Sequence, residues 1–141
     1  MWRVYISYRG TALGNSPIRR YTLKVAYKIW LDNNGKAFGE GPYQLMKRIE
    51  QKGSLHQAAM DMKMSYRKAW RTLHAIETKL GFLLLHRQVG GAAGGGSQIT
   101  DAGRELMKNY EGFRNDAREA LQKVFEIHFG QGKEKPGKHK G

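Results

Sequence analysis

The sequence predicts a mainly helical domain with a small β component, and three observations support this fold class. Residues 53–80 contain two short helical segments, each starting at a serine that can cap it. Residues 82–99 hold an apolar run, a glycine-rich stretch and a second short strand, which together predict a hairpin with a long tip. Residues 106–128 carry apolar side chains at heptad-like spacing, as in a long helix. In this order, the elements predict a winged helix-turn-helix domain.

Composition favours a polyanionic partner. Lys and Arg number 25 against 12 Asp and Glu, so the 141-residue chain carries a formal charge of +13. A nucleic acid and an anionic membrane surface both fit this balance. No apolar run approaches the ~18 residues of a membrane-spanning helix, and we therefore expect a single-domain cytoplasmic protein without a membrane partner. The absence of cysteine excludes disulfides, thiolate zinc sites and cysteine nucleophiles.

The first 20 residues are the least regular part of the sequence. We expect residues 1–20 to form a loosely held N-terminal arm, although the alternation at residues 4–8 also allows a short strand. Residues 14–17 predict a turn or linker. The basic residues of the arm could touch a nucleic acid, but a frayed terminus is the commoner outcome.

A β-hairpin and a helix are expected next. Residues 21–32 alternate with a period of two, which predicts one strand of twelve residues. Residues 33–35, Asn-Asn-Gly, tolerate positive φ, and residues 36–38 can return as the partner strand. Pro42 then suits the first turn of a helix over residues 43–52. The core-facing residues of that helix are Leu45, Met46 and Ile49.

The two-helix unit follows. Ser54 can cap a short helix that ends at Met62, and Ser65 can cap a second helix that runs to Leu80. Gly81 then stops the second helix. Small residues in the first helix allow the second to cross close by, and these are Ala58 and Ala59. The inward stripe of the second helix consists of Ala69, Leu73, Ile76 and Leu80.

Basic residues lie on the outer face of the second helix. Arg67, Lys68, Arg71 and His74 fall largely outside the inward stripe. Two short helices with a tight turn and such a face are the elements of a helix-turn-helix, which lays its second helix in the major groove. An ordinary helical hairpin with solvated lysines and arginines is the alternative.

The wing is predicted over residues 82–99. Residues 82–85 are apolar and suit a buried strand, residues 90–96 are glycine and alanine, and residues 97–99 can return as the second strand. A phosphate-binding nucleotide loop is disfavoured because the Lys-Ser/Thr pair is missing. The tip could bring backbone amides to the DNA backbone or could simply be mobile.

A long helix is predicted over residues 101–129, capped by Thr100. Its heptad-like seam is too long to bury wholly against a domain of this size, so we expect it to pair with a second copy in a homodimer. The seam could instead pack on its own chain. The predicted dimerisation residues are Leu106, Tyr110, Phe113, Ala117, Leu121 and Val124. Residues 21–100 then form the winged domain, and residues 130–141 form a disordered basic tail.

Catalytic and metal sites are not predicted. The five histidines show no metal-ligand spacing; they are His56, His74, His86, His128 and His139. The few carboxylates are scattered over helical faces, so we expect no enzyme activity and no cofactor. The methionines are read as core filler.

These motifs resemble the DNA-binding domain of the molybdate-responsive ModE family, which is itself similar to the N-terminal domain of LysR-type regulators. The resemblance covers residues 23–129 and is most specific in the Ser65-Tyr66 and Ala69-Trp70 helix with its polyglycine wing. The other residues that carry it are Gly39, Glu40, Gly41, Gly53, Ser54, Ala58, Ala59, Arg87, Gly90, Gly91, Gly94, Gly95, Gly96, Ile99, Thr100 and Gly103.

The resemblance implies a homodimeric transcriptional regulator that binds palindromic promoter DNA. The implied major-groove residues are Ser65, Tyr66 and the exposed residues of their helix, with the wing tip on the flanking minor groove or backbone. The complete set of DNA-binding candidates is Ser54, Ser65, Tyr66, Arg67, Lys68, Arg71, His74, Arg87, Gly90, Gly91, Gly94, Gly95 and Gly96. Tyr66 could either pack against a neighbouring element or contact a base, while Trp70 is expected to be structural. An RNA-binding or a protein-docking winged helix is the alternative function.

Three departures from the family pattern affect these expectations. Lys63 occupies the turn position where glycine is usual, which predicts a small positive-φ cost. Ala92 and Ala93 stand where the family wing often carries lysine and glycine, which weakens the case for a contact there. The sequence ends where the family's molybdate-binding domain would start, so we expect no molybdate binding by this chain alone. An effector would then act through a separate effector-binding protein, through this domain directly, or not at all.

Overall fold

The computed structural model describes residues 4–7, 23–87 and 96–129. Ten helices and strands lie in these ranges. In chain order they are β1 (Val4–Ser7), β2 (Lys24–Tyr27), β3 (Trp30–Asp32), β4 (Lys36–Gly39), α1 (Glu40–Lys52), α2 (Leu55–Asp61), α3 (Tyr66–Leu80), β5 (Leu85–Arg87), β6 (Ser97–Ile99) and α4 (Asp101–Phe129).

The chain divides into two compact units. The larger consists of residues 29–113, and the smaller of residues 1–28 together with residues 114–141. In the smaller unit β1 pairs antiparallel with β2, from Val4 opposite Tyr27 to Ser7 opposite Lys24. The larger unit holds two further antiparallel hairpins, β3–β4 and β5–β6. The fold class predicted from the sequence is therefore confirmed.

The core of the larger unit is formed where α1, α2 and α3 meet the two hairpins and the start of α4. Its largest fully buried side chains are Tyr43, Tyr110, Phe38, Leu45, Met46, Ile49, Leu73, Leu84 and Ile99. The small residues of α2 are buried as predicted, since Ala58 and Ala59 are at most 1% exposed. They let α3 cross α2 closely.

Two strand predictions were wrong. The alternation over residues 21–32 is divided between β2 and β3, because the chain stops pairing with β1 after Tyr27 and pairs with β4 from Trp30. The apolar run at residues 82–85 is not a strand: Phe82 and Leu83 are exposed, and β5 begins only at Leu85. A period of two shows that residues alternate, but the strand partners decide where one strand ends.

The N-terminal boundaries also differ from expectation. Val4–Ser7 is a paired strand, which is the alternative that the alternation at residues 4–8 allows in place of a loosely held arm. The remaining residues of that arm, and the tail at residues 130–141, lie outside the described ranges. Helix α1 begins at Glu40, three residues before the predicted start, and Pro42 lies in its first turn.

The β3–β4 turn and the helix caps have the conformations that the sequence predicts. Asn34 and Gly35 have φ values of 53° and 112° and form the tip of the β3–β4 hairpin. Gly53 and Gly81 end α1 and α3 with left-handed backbone. Thr100 caps α4, because its Oγ1 accepts a hydrogen bond from the Gly103 amide at 2.9 Å.

Candidate nucleic-acid interface

The two-helix unit has the caps that its sequence predicts. The Ser54 hydroxyl accepts a hydrogen bond from the Gln57 amide at 3.2 Å, and the Ser65 hydroxyl accepts one from the Lys68 amide at 3.1 Å. Both candidate side chains therefore fix the starts of α2 and α3. Lys63 in the intervening turn has a φ of 54°, the left-handed conformation expected from the missing glycine.

The outer face of α3 is basic and open to solvent. Arg67, Lys68, Arg71 and His74 are exposed, while the stripe of Ala69, Leu73 and Ile76 is at most 5% exposed. Within the described part of the chain, Arg67, Lys68 and Arg71 form no ion pair with a carboxylate. Their charges are thus available to an external anion.

Two aromatic side chains flank this row. Trp70 is half-buried, packs against the core and stacks on the His74 ring with centroids 4.8 Å apart, so its structural role is as expected. Tyr66 is 49% exposed, and its ring centroid lies 6.3 Å from that of His56 on α2. Tyr66 therefore stands at the exposed start of α3, where both of its predicted roles remain available.

Sequence reasoning missed Glu77, which connects α3 to the wing. This residue is 7% exposed, and its Oε1 accepts hydrogen bonds from the amides of Leu84 at 2.9 Å and Leu85 at 3.4 Å. Its Oε2 lies 3.6 Å from Nδ1 of His74. Its burial could have been predicted, because position 77 lies four residues after Leu73 and so falls on the inward stripe of α3.

The base of the wing is fixed at both strands. The Ser97 amide donates to the Gly53 carbonyl at 2.9 Å, and the Thr100 amide donates to the Leu84 carbonyl at 3.0 Å. Gly96 immediately precedes β6, and Arg87 is the last residue of β5. The other wing candidates, Gly90, Gly91, Gly94 and Gly95, lie outside the described residues, as do Ala92 and Ala93. The structure therefore places the wing base beside the two-helix unit.

The predicted dimerisation seam is interrupted by Tyr110. This side chain is 2% exposed and packs edge-on against Phe38, with ring centroids 5.2 Å apart. Its hydroxyl lies 3.2 Å from Oε2 of Glu40. Tyr110 is therefore a core residue, and its place in a dimer seam was wrong, because the same helical period serves burial within a chain and between chains.

The other seam residues differ in exposure. Leu106 is half-buried and packs against the core of the larger unit, whereas Phe113 is 50% exposed. In the smaller unit, Ala117 and Leu121 are half-buried and Val124 is 52% exposed. Four predicted seam residues thus remain outside the larger unit's core.

The described residues lack two other kinds of feature. They contain no group of three or more His, Asp or Glu side chains that could hold a metal ion. None of their helices combines the length and apolarity needed to cross a lipid bilayer.

This arrangement of capped helices, basic α3 face and hairpin defines a helix-turn-helix domain of the winged class. Residues 43–104 match the family described as "Bacterial regulatory helix-turn-helix protein, lysR family". Its relatives include proteins named ModE, the family that its motifs resemble.

Three relatives illustrate the similarity. The molybdenum transport protein ModE of Azotobacter vinelandii is 32% identical over 92 residues, which are 65% of this chain and 34% of that protein. The transcriptional regulator ModE of Haemophilus influenzae is 40% identical over 68 residues, covering 48% of this chain and 27% of that protein. The DNA-binding transcriptional dual regulator ModE of Escherichia coli K12 is 31% identical over 90 residues, which cover 64% of this chain and 32% of that protein. The chain thus spans about a third of the length of these relatives.

A solved structure shares the fold. The chain in the structure titled "Crystal structure of CbnR_DBD-DNA complex" superimposes with a TM-score of 0.50 and 19% identity, over 62% of this chain and 95% of that chain. At this identity the likeness supports the fold alone.

Proposed function

We propose that this chain is a DNA-binding transcriptional regulator that inserts α3 into the major groove. The observation that carries this proposal is the exposed row of Arg67, Lys68 and Arg71, which has no carboxylate partner among the described residues. Relatives named as transcriptional regulators support the same function. They do not favour an RNA-binding module, a protein-docking module or an enzyme.

The first turn and a half of α3 is placed for reading bases. Arg67 and Lys68 lie two and three residues after the Ser65 cap, at the end of the recognition helix that enters a groove in other helix-turn-helix proteins. A bidentate arginine on guanine is worth ~1–3 kcal/mol of discrimination against a wrong base. Arg67 is accordingly assigned to base contact, with Tyr66 beside it.

Residues around this row are assigned to the phosphate backbone. Arg71 and His74 continue the α3 face, and Ser54 and Ser65 lie at the starts of the two helices, whose first amides favour anions. On α1, Arg48 is held by Gln44, whose Oε1 accepts its hydrogen bond at 3.0 Å. The wing candidates would meet flanking phosphates; these are Arg87, Gly90, Gly91, Gly94, Gly95 and Gly96.

A homodimer on palindromic DNA completes the proposal. The residues that would join two copies are Phe113, Ala117, Leu121 and Val124, in the middle and second half of α4. Two copies present two α3 helices, which suits two half-sites. The regulator would act in the cytoplasm, and an effector, if one is used, would act through a separate effector-binding protein or through this domain directly.

The proposal is tested by selecting bound sequences from a random duplex pool with the purified chain. We expect a palindromic consensus, and binding of it that resists competition by folded RNA of equal length. If about six phosphates are contacted per dimer, affinity should fall on the order of 10³-fold between about 50 and 200 mM salt. A pool without enrichment, or RNA that competes equally well, would contradict duplex recognition.

A further inference from the structure

A cavity of about 290 Å³ lies in the larger unit between strand β4 and the side of α3 that adjoins the basic row. This volume is just below the ~300–1,000 Å³ of usual ligand pockets, so the cavity suits only a very small molecule. The residues that line it are Lys36, Ala37, Phe38, Pro42, Thr72, Ala75, Ile76 and Lys79.

The lining combines apolar walls with two lysines and has no carboxylate. Phe38 and Ile76 are at most 5% exposed and form the floor behind the cavity, while Pro42 is half-buried and Ala75 is exposed, so these two supply the accessible apolar contact. In the described part of the chain, neither Lys36 nor Lys79 pairs with a carboxylate. The Lys36 ammonium lies 5.8 Å from the centre of the Trp30 ring, and the Lys79 ammonium donates to the Asn34 carbonyl at 3.3 Å. Among the described residues, both ammonium groups are therefore without an ion pair within 4.0 Å.

Reciprocal hydrogen bonds fix the two walls against each other. The Asn33 side-chain amide donates a hydrogen bond to the Lys79 carbonyl at 2.9 Å. In the other direction, the Lys79 ammonium donates one to the backbone carbonyl of Asn34. These bonds join the tip of the β3–β4 hairpin to the last turn of α3. The cavity is therefore formed before a ligand arrives, which lowers the cost of binding.

We propose that this cavity binds a small apolar carboxylate, with the ring or chain against Pro42 and Ala75 and the carboxylate between Lys36 and Lys79. Thr72 and Ala75 belong to the same turns of α3 as Arg71 and His74. A bound ligand would thus contact the helix assigned to the major groove. An effect on DNA rests on the proposed function, whereas binding itself does not.

The test is a titration of the isotopically labelled chain with benzoate, in the absence of DNA, followed by backbone amide shifts in NMR. We expect saturable binding in the millimolar range, with the largest shifts at Ala37 and Ile76, and at least about tenfold weaker binding of the neutral isostere benzamide. Lys36→Gln and Lys79→Gln should each weaken benzoate binding, and Ala75→Leu should abolish it by filling the cavity. Lys108→Gln, which removes an exposed charge from α4, is the matched control.

Several results would overturn the proposal. They are an absence of saturable shifts, equal binding of benzamide, undiminished binding by a folded Ala75→Leu variant, and equal weakening by Lys108→Gln. Loss of the far-ultraviolet helical signal would disqualify a single variant, and the remaining variants would then decide. Binding that weakens as protein concentration rises would assign the cavity to a second copy of the chain and would also overturn it.

Discussion

Glu77 shows how one buried side chain can set the position of a neighbouring element. Its carboxylate accepts hydrogen bonds from the Leu84 and Leu85 amides, which lie at the start of the wing. Those amides are buried, and an unsatisfied buried donor costs about 1–3 kcal/mol. The wing base is therefore attached to α3 by a side chain as well as by the backbone.

Replacing Glu77 by alanine should lower the free energy of unfolding by about 1–3 kcal/mol, because both amides lose their acceptor. Glu77→Gln keeps an oxygen at the same position and should retain most of that stability. Urea denaturation followed by circular dichroism measures both variants. If glutamine were as destabilising as alanine, or if alanine had no effect, the hydrogen bonds from the Leu84 and Leu85 amides would not stabilise the fold as proposed.

Single residues were predictable where their role is local. The Ser65 hydroxyl accepts a hydrogen bond from the amide of Lys68, three residues later, so its role as a helix cap was predicted correctly. Lys63 has a positive φ, as predicted from its place in the turn between the two helices. Glu77 depends on amides seven and eight residues away, beyond a turn whose direction the sequence does not give. Tyr110 was missed for a similar reason, since its partners Phe38 and Glu40 are remote in the sequence.

At the scale of elements, the close packing of α4 on the wing base depends on Gly103. A Cβ at this position would lie 2.9 Å from the Leu84 carbonyl oxygen and 2.9 Å from Cγ2 of Ile99. Both distances are shorter than side chains tolerate, and the first involves backbone that cannot move without β5. Gly112, later in α4, has open space at the corresponding position.

Gly103→Ala and Gly112→Ala should therefore have opposite effects. Alanine in an exposed helix interior stabilises by about 0.5–1 kcal/mol relative to glycine, and this is expected at Gly112. At Gly103 the clash should outweigh that gain and destabilise by about 1–3 kcal/mol. Thermal unfolding of the two variants provides the comparison. A stabilised Gly103→Ala variant would show that α4 does not pack as closely as described.

Elements were predicted well when their signals were helical and capped, as in α2 and α3. The strand over residues 21–32 failed because alternation is the same in one long strand and in two short ones. Here β2 and β3 have different partners, Val4–Ser7 and Lys36–Gly39, and no local signal distinguishes them. The apolar run at residues 82–85 failed because Phe82 and Leu83 are exposed although they are hydrophobic.

At the scale of the whole molecule, the proposed homodimer depends on the second half of α4. Val124 is 52% exposed, so its replacement should disturb pairing more than folding. Val124→Lys places like charges in the seam and should weaken self-association at least about tenfold. Asn115→Lys, at an exposed position on the same helix, adds the same charge and should leave association unchanged. Analytical ultracentrifugation measures the self-association of both variants. A wild-type chain that stays monomeric would refute the dimer.

The α3 face is proposed to read duplex DNA, and the most direct test is fluorescence anisotropy on a duplex selected by the wild-type chain. Arg67→Ala combined with Arg71→Ala should weaken binding at least about 100-fold, because base and phosphate contacts are lost in each protomer, while helicity is retained. Lys108→Ala, an exposed charge on α4, should bind within about twofold of wild type. Unchanged affinity of the folded Arg67→Ala, Arg71→Ala variant would contradict the account.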